Sequence, residues 1–186
     1  MHILVTGGAG YCGSVAVAKL RAAGHSVVVF DNLATGFRAA VDPGAAFVQG
    51  DLRDADAVTR LFQQERAFDG ILHFASASLV GESMRQPLHY LRDNLIGATN
   101  LLEQAVSHGV ERFIFSSTAN LFGAPDAIPI PPDAPVTPGS PYGGSKYFIE
   151  RTLHWFGQVY GLRYACLRYF NAAGATAQLG EAQQPP

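Results

Sequence analysis

Three glycines at the spacing G-x-x-G-x-x-G (Gly7, Gly10 and Gly13) stand between a short apolar run and an apolar-periodic segment, and they constrain this chain more than any other feature. Ile3, Leu4 and Val5 read as a buried parallel strand. From Ser14 onward, the spacing of Val15, Val17, Ala18 and Leu20 predicts a helix closed by Gly24. Residues 27–30 are a second β-branched run ending at Asp31. Strand, glycine turn, helix, strand and acid form half of a dinucleotide-binding unit. Gly7 allows a sharp turn, Gly10 lets backbone approach a pyrophosphate, and Gly13 lets the helix lie close to the sheet. The helix start offers N–H groups and positive potential to phosphates. Asp31 is placed to accept the hydroxyls of an adenine ribose, which favours NAD over NADP. A purely structural βαβ turn would explain the glycines but leave Asp31 without a task.

The pattern continues along the chain. Residues 32–44 form a polar loop marked by glycine and proline, suited to pass around an adenosine. Residues 45–48 read as a third strand ending at Gly50-Asp51-Leu52, where a short acid could reach an adenine amino group. Asp54 is the expected cap of a helix to about Arg66, with Val58, Leu61 and Phe62 inward. Residues 69–74 are a fourth strand, followed by the small residues Ala75, Ser76, Ala77 and Ser78. Leu91, Leu95, Ala98, Leu102 and Ala105 predict a helix from near Pro87 to Ser107. Residues 112–117 are a fifth strand, 122–141 a long proline-rich loop of the kind that usually serves function, 142–160 a helix and 164–169 a sixth strand. Six strands alternating with helices predict an α/β fold, a doubly wound, mostly parallel, Rossmann-like sheet with ligands at the C-terminal ends of the strands. The expected organisation is a dinucleotide-binding domain over 1–175. Residues 176–186, small and polar, are expected to be a tail or an interrupted start of a further region, with no segment left for a C-terminal substrate domain.

Composition excludes several functions. Of 186 residues, 48% are hydrophobic and only 15% charged, with a formal net charge of -2 and no polybasic tract, so nucleic acid and anionic membranes are poor partners. No run approaches the ~20 apolar residues of a membrane span. The N-terminus enters the first strand without a basic leader, and the two cysteines, Cys12 and Cys166, lie far apart. Both features point to a reducing, cytoplasmic setting. His73 reads as a packed histidine. His89, His108 and His154 carry no ligand spacing, so no metal is expected.

The chemistry is expected at SPYGGSK, residues 140–146. Tyr142 and Lys146 are four apart at a helix start and so share a face. A phenol of ordinary pKa ~10 is a poor base near neutrality; a lysine ammonium beside it, with an oxidised nicotinamide ring, would lower that value. Ser116, Ser117 and Thr118 end the fifth strand, and Thr118 could relay a substrate proton to Tyr142. Such a group suits alcohol oxidation, the base taking the O–H proton while NAD takes the hydride.

At this point a resemblance is visible along the whole chain. VTGGAGYCGS (5–14), DNL (31–33), GDLRD (50–54), HFAS (73–76), VGES (80–83), PLHYLRDN (87–94), FSSTANLFG (115–123), SPYGGSK (140–146) and RYFNAAGA (168–175) resemble the extended short-chain dehydrogenase/reductase family of NAD-dependent epimerases and dehydratases. VGES, PLHYLRDN and RYFNAAGA are nearer to its sugar-nucleotide 4-epimerases than to its dehydratases or decarboxylases. The resemblance implies epimerisation at C4 of a UDP-hexose through a 4-keto intermediate, with NAD regenerated. It implies that Tyr11 and Cys12 meet the pyrophosphate through backbone, that Asp31 and Asn32 hold the ribose, and that Asp51 and Leu52 hold the adenine. Phe74, Ala75, Ser78 and Asn94 would lie toward the nicotinamide, and Phe170 would flank it. Thr118 and Tyr142 would be the proton-transfer pair, Lys146 the ribose-binding partner, and Asn171 a contact to the UDP-sugar diphosphate. Family members often pair through helices near 90–107 and 145–160, so a homodimer is expected.

The departures are specific. Cys12 replaces a branched apolar residue, Ser78 stands where a lysine usually reaches the cofactor, and Asn120 and Phe122 replace the usual threonine or alanine and tyrosine. Thr118-Ala119-Asn120 lacks the carboxylate a dehydratase needs after its hydroxyl residue. The family's chains run well over a hundred residues further and there supply uracil contacts and the far sugar wall, so this chain by itself is expected to be weakly active or inactive. Another sugar-nucleotide dehydratase or decarboxylase, and a non-catalytic NAD-binding module, remain as alternatives.

Overall fold

A computed structural model describes residues 1–181. Its sheet has six parallel strands: β1 (His2–Thr6), β2 (Ser26–Asp31), β3 (Ala46–Gln49), β4 (Gly70–His73), β5 (Arg112–Thr118) and β6 (Arg163–Tyr169). They lie in the spatial order β3-β2-β1-β4-β5-β6. The order reverses at β1, so the crevice between β1 and β4 opens at their C-terminal ends, where ligands bind in such sheets. Every expected strand is present, most with ends shifted by a residue or two.

Helices α1 (Tyr11–Ala22), α2 (Ala55–Gln64), α3 (Val80–Ser83), α4 (Asn94–Ser107) and α5 (Pro141–Tyr160) connect them. Right-handed crossovers decide which face each one covers. The chain steps one way from β1 through β2 to β3, and after β3 crosses back to run the other way through β4, β5 and β6. Hence α1 covers one face alone, with Val17 packed among Ile3, Val5, Val27 and Val29. The main core lies on the opposite face. There α2 contributes Val58, Leu61 and Phe62, α4 contributes Ala98, Leu101, Leu102 and Ala105, and α5 contributes Ile149 and Leu153. The α1 face has no helix over β4 to β6 among the described residues, and Leu167 and Tyr169 of β6 are exposed there.

Local chemistry explains most boundaries. Asp54 caps α2 as expected, accepting from the N–H groups of Asp56 and Ala57. Ser140 caps α5, Pro141 follows in its first turn, and Gly161 ends it in the left-handed region at φ 72°. Helix α1 is closed by Gly24 as expected: at φ 82° its N–H donates to the Arg21 carbonyl, and His25 N–H donates to Leu20. The expected helix from near Pro87 to Ser107 is present as one unbroken helical run, wound as a π-helix over His89–Asp93 before α4. α3, too short for a periodic signal, went unseen in the sequence. Of the expected tail, 182–186 lie outside the described residues; before them Thr176 and Leu179 close a small turn.

Candidate active site

The glycine turn runs from β1 into α1. Gly7 has φ 72°, a conformation that disfavours any side chain, and a Cβ there would stand 2.5 Å from the Ala75 nitrogen. The turn is thus pressed against the loop that follows β4. A methyl group on Gly13 would fall on the Gly7 carbonyl, so Gly13 admits the glycine turn itself rather than the sheet. No side chain caps α1, whose cap residue is Gly10. Its first-turn N–H groups, from Tyr11, Cys12 and Gly13, therefore suit an anionic group. The Tyr11 hydroxyl donates to the Gly174 carbonyl, drawing 168–175 toward this turn.

Asp31 has a structural task the sequence did not reveal. Its carboxylate accepts from Ala9 N–H (3.0 Å) and Leu33 N–H (2.8 Å), joining the glycine turn to the turn after β2. Each oxygen keeps a lone pair for a ribose hydroxyl. Asn32 Nδ2 donates to Asp51 (3.0 Å), and Arg53 grips Asp51 along one guanidinium edge, through Nε (2.9 Å) and Nη2 (2.6 Å), holding its carboxyl well below the usual range. Arg53 also donates to Asp93 (2.9 Å). The carboxylate expected to read adenine is thus already committed to an ion pair. Leu52 is buried against α4, where it limits the space at Gly97.

The loop after β4 is fixed from two sides. Phe74 and Ala75 donate backbone N–H groups to Thr6, while Ser78 is exposed. Asn94, expected toward the nicotinamide, brackets Ala77 through both that residue's N–H (2.8 Å) and its carbonyl (3.1 Å), and donates to Ser145 of α5 (3.0 Å). The Ser145 hydroxyl in turn donates to the Tyr142 carbonyl (2.8 Å).

Tyr142 and Lys146 do share the inner face of α5. Lys146 is 1% exposed. Its Nζ donates to Ser76 Oγ and the Ser116 carbonyl, each at 2.9 Å, and sits 4.8 Å over the Phe115 ring and 5.7 Å from the Tyr142 ring centre. Burial pulls its pKa down to about 7. Burial also pushes the Tyr142 phenol above its ordinary value, with the adjoining Thr118 hydroxyl opposing. Loss of water outweighs what this chain's own groups offer the phenolate; the lowering expected from the sequence depends on the lysine together with an oxidised nicotinamide ring. His73 is the packed histidine anticipated: Nδ1 lies 2.7 Å from Thr6 Oγ1, and burial drives its pKa down to about 3.

Three contributors escaped the sequence reading. Glu150, 8% exposed, accepts from Ser117 (2.5 Å) and twice from Arg168 (2.8 and 3.1 Å), tying β5, β6 and α5 together. Tyr90, fully buried, donates to Glu82 (2.5 Å) and lays its ring edge-on to Tyr142 at 6.4 Å. Ser140 caps α5, the helix of Tyr142 and Lys146; its place before Pro141 was the one available signal. Phe170 and Asn171 are exposed at the end of β6. Among the described residues, no group of three or more His, Cys, Asp or Glu side chains could hold a metal ion. No helix there is long and apolar enough to cross a membrane.

A switch-point crevice bearing a glycine turn, an acid after β2 and a Thr-Tyr-Lys cluster defines the class. The profile of the NAD dependent epimerase/dehydratase family matches residues 3–184, and the chain belongs to that family. Within it, the chain is 49% identical to the UDP-glucose 4-epimerase of Lacticaseibacillus casei, an alignment covering 100% of this chain and 56% of that relative. A crystal structure of a UDP-glucose 4-epimerase superposes with a TM-score of 0.95 at 47% identity, over 98% of this chain and 56% of the other. A UDP-glucose 4-epimerase from Bifidobacterium longum, solved in complex with NAD+ and UDP, gives 0.93 at 33% identity over 100% of this chain and 58% of that one. The chain spans about half the length of the curated relatives it matches.

Proposed function

We propose that this chain is the NAD-binding and proton-transfer part of an epimerase acting at C4 of a UDP-hexose, UDP-glucose and UDP-galactose being the pair. The observation that carries the reading is Lys146, which reaches from the catalytic helix to Ser76 in the loop pressed against Gly7. It joins the nucleotide-binding turn and the Tyr142 face in one site. Bound NAD would accept the C4 hydride and return it, its cationic ring favouring the phenolate. The residues of this chain do the rest. The Tyr11, Cys12 and Gly13 amides and Asp31 would hold pyrophosphate and ribose. Tyr142 would take the 4-hydroxyl proton, directly or through Thr118, and give it back on the second pass. Lys146 uses two of its three N–H donors on protein, which leaves one for the nicotinamide ribose.

Asn171 and Phe170 are assigned to the substrate diphosphate and the nicotinamide edge. A homodimer is part of the proposal, supported by Phe148, Trp155 and Val159, exposed at seven- and four-residue spacing along α5, with Ile96 exposed on α4. A cytoplasmic setting suits the free cysteines Cys12 and Cys166. A non-catalytic NAD-binding module is the second reading, favoured by the uncovered face of β6. The deciding experiment titrates the 186-residue chain with NAD, then adds UDP-galactose and assays UDP-glucose. NAD binding with turnover supports a site complete in this chain; NAD binding without turnover is what the NAD-binding part by itself gives; no NAD binding refutes both readings.

A further inference from the structure

The buried ammonium of Lys146 has two hydrogen-bond acceptors of different kinds. One is the Ser116 carbonyl on β5 (2.9 Å), a backbone group that any residue at that position supplies. The other is Ser76 Oγ in the loop after β4 (2.9 Å), the only side chain among the described residues that hydrogen-bonds Nζ. The residue type at position 76 therefore decides whether the ammonium has one anchor or two. The Ser76 hydroxyl is not needed to hold its own loop. Ala75 N–H donates to the Thr6 carbonyl (3.2 Å), and Asn94 takes both the N–H (2.8 Å) and the carbonyl (3.1 Å) of Ala77. The backbone on either side of Ser76 is thus pinned without its side chain. Among the described residues Ser76 Oγ has no hydrogen-bond partner other than Lys146.

An ammonium on a flexible stem turns and swings about a single anchor. Two anchors on neighbouring elements fix the place of the tetrahedral nitrogen and the direction of all three N–H bonds. We propose that Ser76 is a positioning residue for Lys146: its hydroxyl oxygen holds Nζ between the loop after β4 and the strand β5, so that the remaining ammonium proton keeps one direction. This rests on the reading of Lys146 as the ribose-binding partner in the site. Ser76 acts through Lys146 and needs no contact of its own with substrate or cofactor. The titratable groups facing this ammonium are Tyr142 of α5, its ring centre 5.7 Å away, and His73 of β4, which burial keeps neutral with a pKa of about 3.

The test reads the ammonium and needs neither NAD nor turnover, so failure of the epimerase reading leaves its outcome standing. Lys19 and Lys146 are the only lysines of the sequence, so the whole chain isotope-labelled at lysine Cε gives one signal for each in an NMR pH titration. Lys146→Met assigns them, and circular dichroism confirms the fold of each variant. Ser76→Ala should lower the Lys146 midpoint by about half to one pH unit, because the hydrogen bond it removes favours the ammonium over the amine. Ser76→Thr, which keeps the hydroxyl, should stay at the wild-type midpoint. In urea unfolding at pH 6, where Lys146 is charged, Ser76→Ala should lower the transition midpoint of the wild-type chain and leave that of Lys146→Met unmoved. A Lys146 midpoint unmoved by Ser76→Ala, a threonine variant that titrates like the alanine one, or an equal urea loss in both backgrounds overturns the proposal, since a hydroxyl that merely supports its loop would act whether or not the lysine is there. If the alanine variant fails to fold, Ser76→Cys is read by the same criteria.

Discussion

Replacing Lys146 with methionine should make the folded chain more stable at pH 6. The lysine is fully enclosed, and burial alone takes its pKa from 10.5 to about 7. Unfolding returns the ammonium to water. That gap of about 3.5 pH units corresponds to an upper bound of ~5 kcal/mol against the folded state at low pH. Methionine fills a similar volume without the charge. Against this, Ser76 Oγ and the Ser116 carbonyl each lose a donor, at about 1 kcal/mol apiece. The contact with the Phe115 face, a further ~1 kcal/mol, is lost as well. The net gain should be about 2 kcal/mol. Its pH dependence is the sharper signature. Below the folded pKa both states are protonated and the whole penalty is present. Between about 7 and 10.5 the unfolded chain binds more protons than the folded one, so wild-type stability rises with pH. The advantage of Lys146→Met should therefore be largest at pH 6 and vanish or change sign by pH 10. Urea unfolding followed by circular dichroism at both pH values measures it. A variant less stable than wild type at pH 6, or a difference that ignores pH, would refute the reasoning.

Two further outcomes follow from the geometry. Asp31→Asn should weaken NAD binding by about tenfold or more in calorimetry, and lower stability by about 1–2 kcal/mol, because one oxygen that accepts from Ala9 or Leu33 becomes a donor. Equal NAD affinity in the variant would remove Asp31 from the site. Arg168→Met should destabilise the chain by about 2–3 kcal/mol in urea unfolding, short of a fully buried pair because the arginine side chain is 33% exposed; Glu150→Gln in the same background should recover part of that loss, and no recovery would mean the ion pair is not the cause.

Six strands, the capped α2 and the face shared by Tyr142 and Lys146 were legible because each rests on signals a few residues long: β-branched runs, an acid before a periodic segment, a spacing of four. The π-helical turn at His89–Asp93 was not legible. Its residues carry ordinary helical spacing, and only its surroundings explain the altered winding: Asp93 meets Arg53, His89 and Arg92 there, and Asn94 meets Ala77 and Ser145. Glu150 and Arg168 likewise look like solvated charges in the sequence, being eighteen positions apart with no shared local pattern.

The sequence by itself determined the order of elements, the nucleotide-binding turn and the family, since turn chemistry, periodicity and motif spacing are properties of neighbours along the chain. Only the tertiary structure decided the electrostatics. Asp31 secures the glycine turn, Asn94 braces a loop, and burial pulls Lys146 down to about 7 and pushes Tyr142 upward. Desolvation sums over every group that excludes water from a site, and those groups arrive from β4, β5, α4 and α5 together. No single stretch of sequence holds that sum.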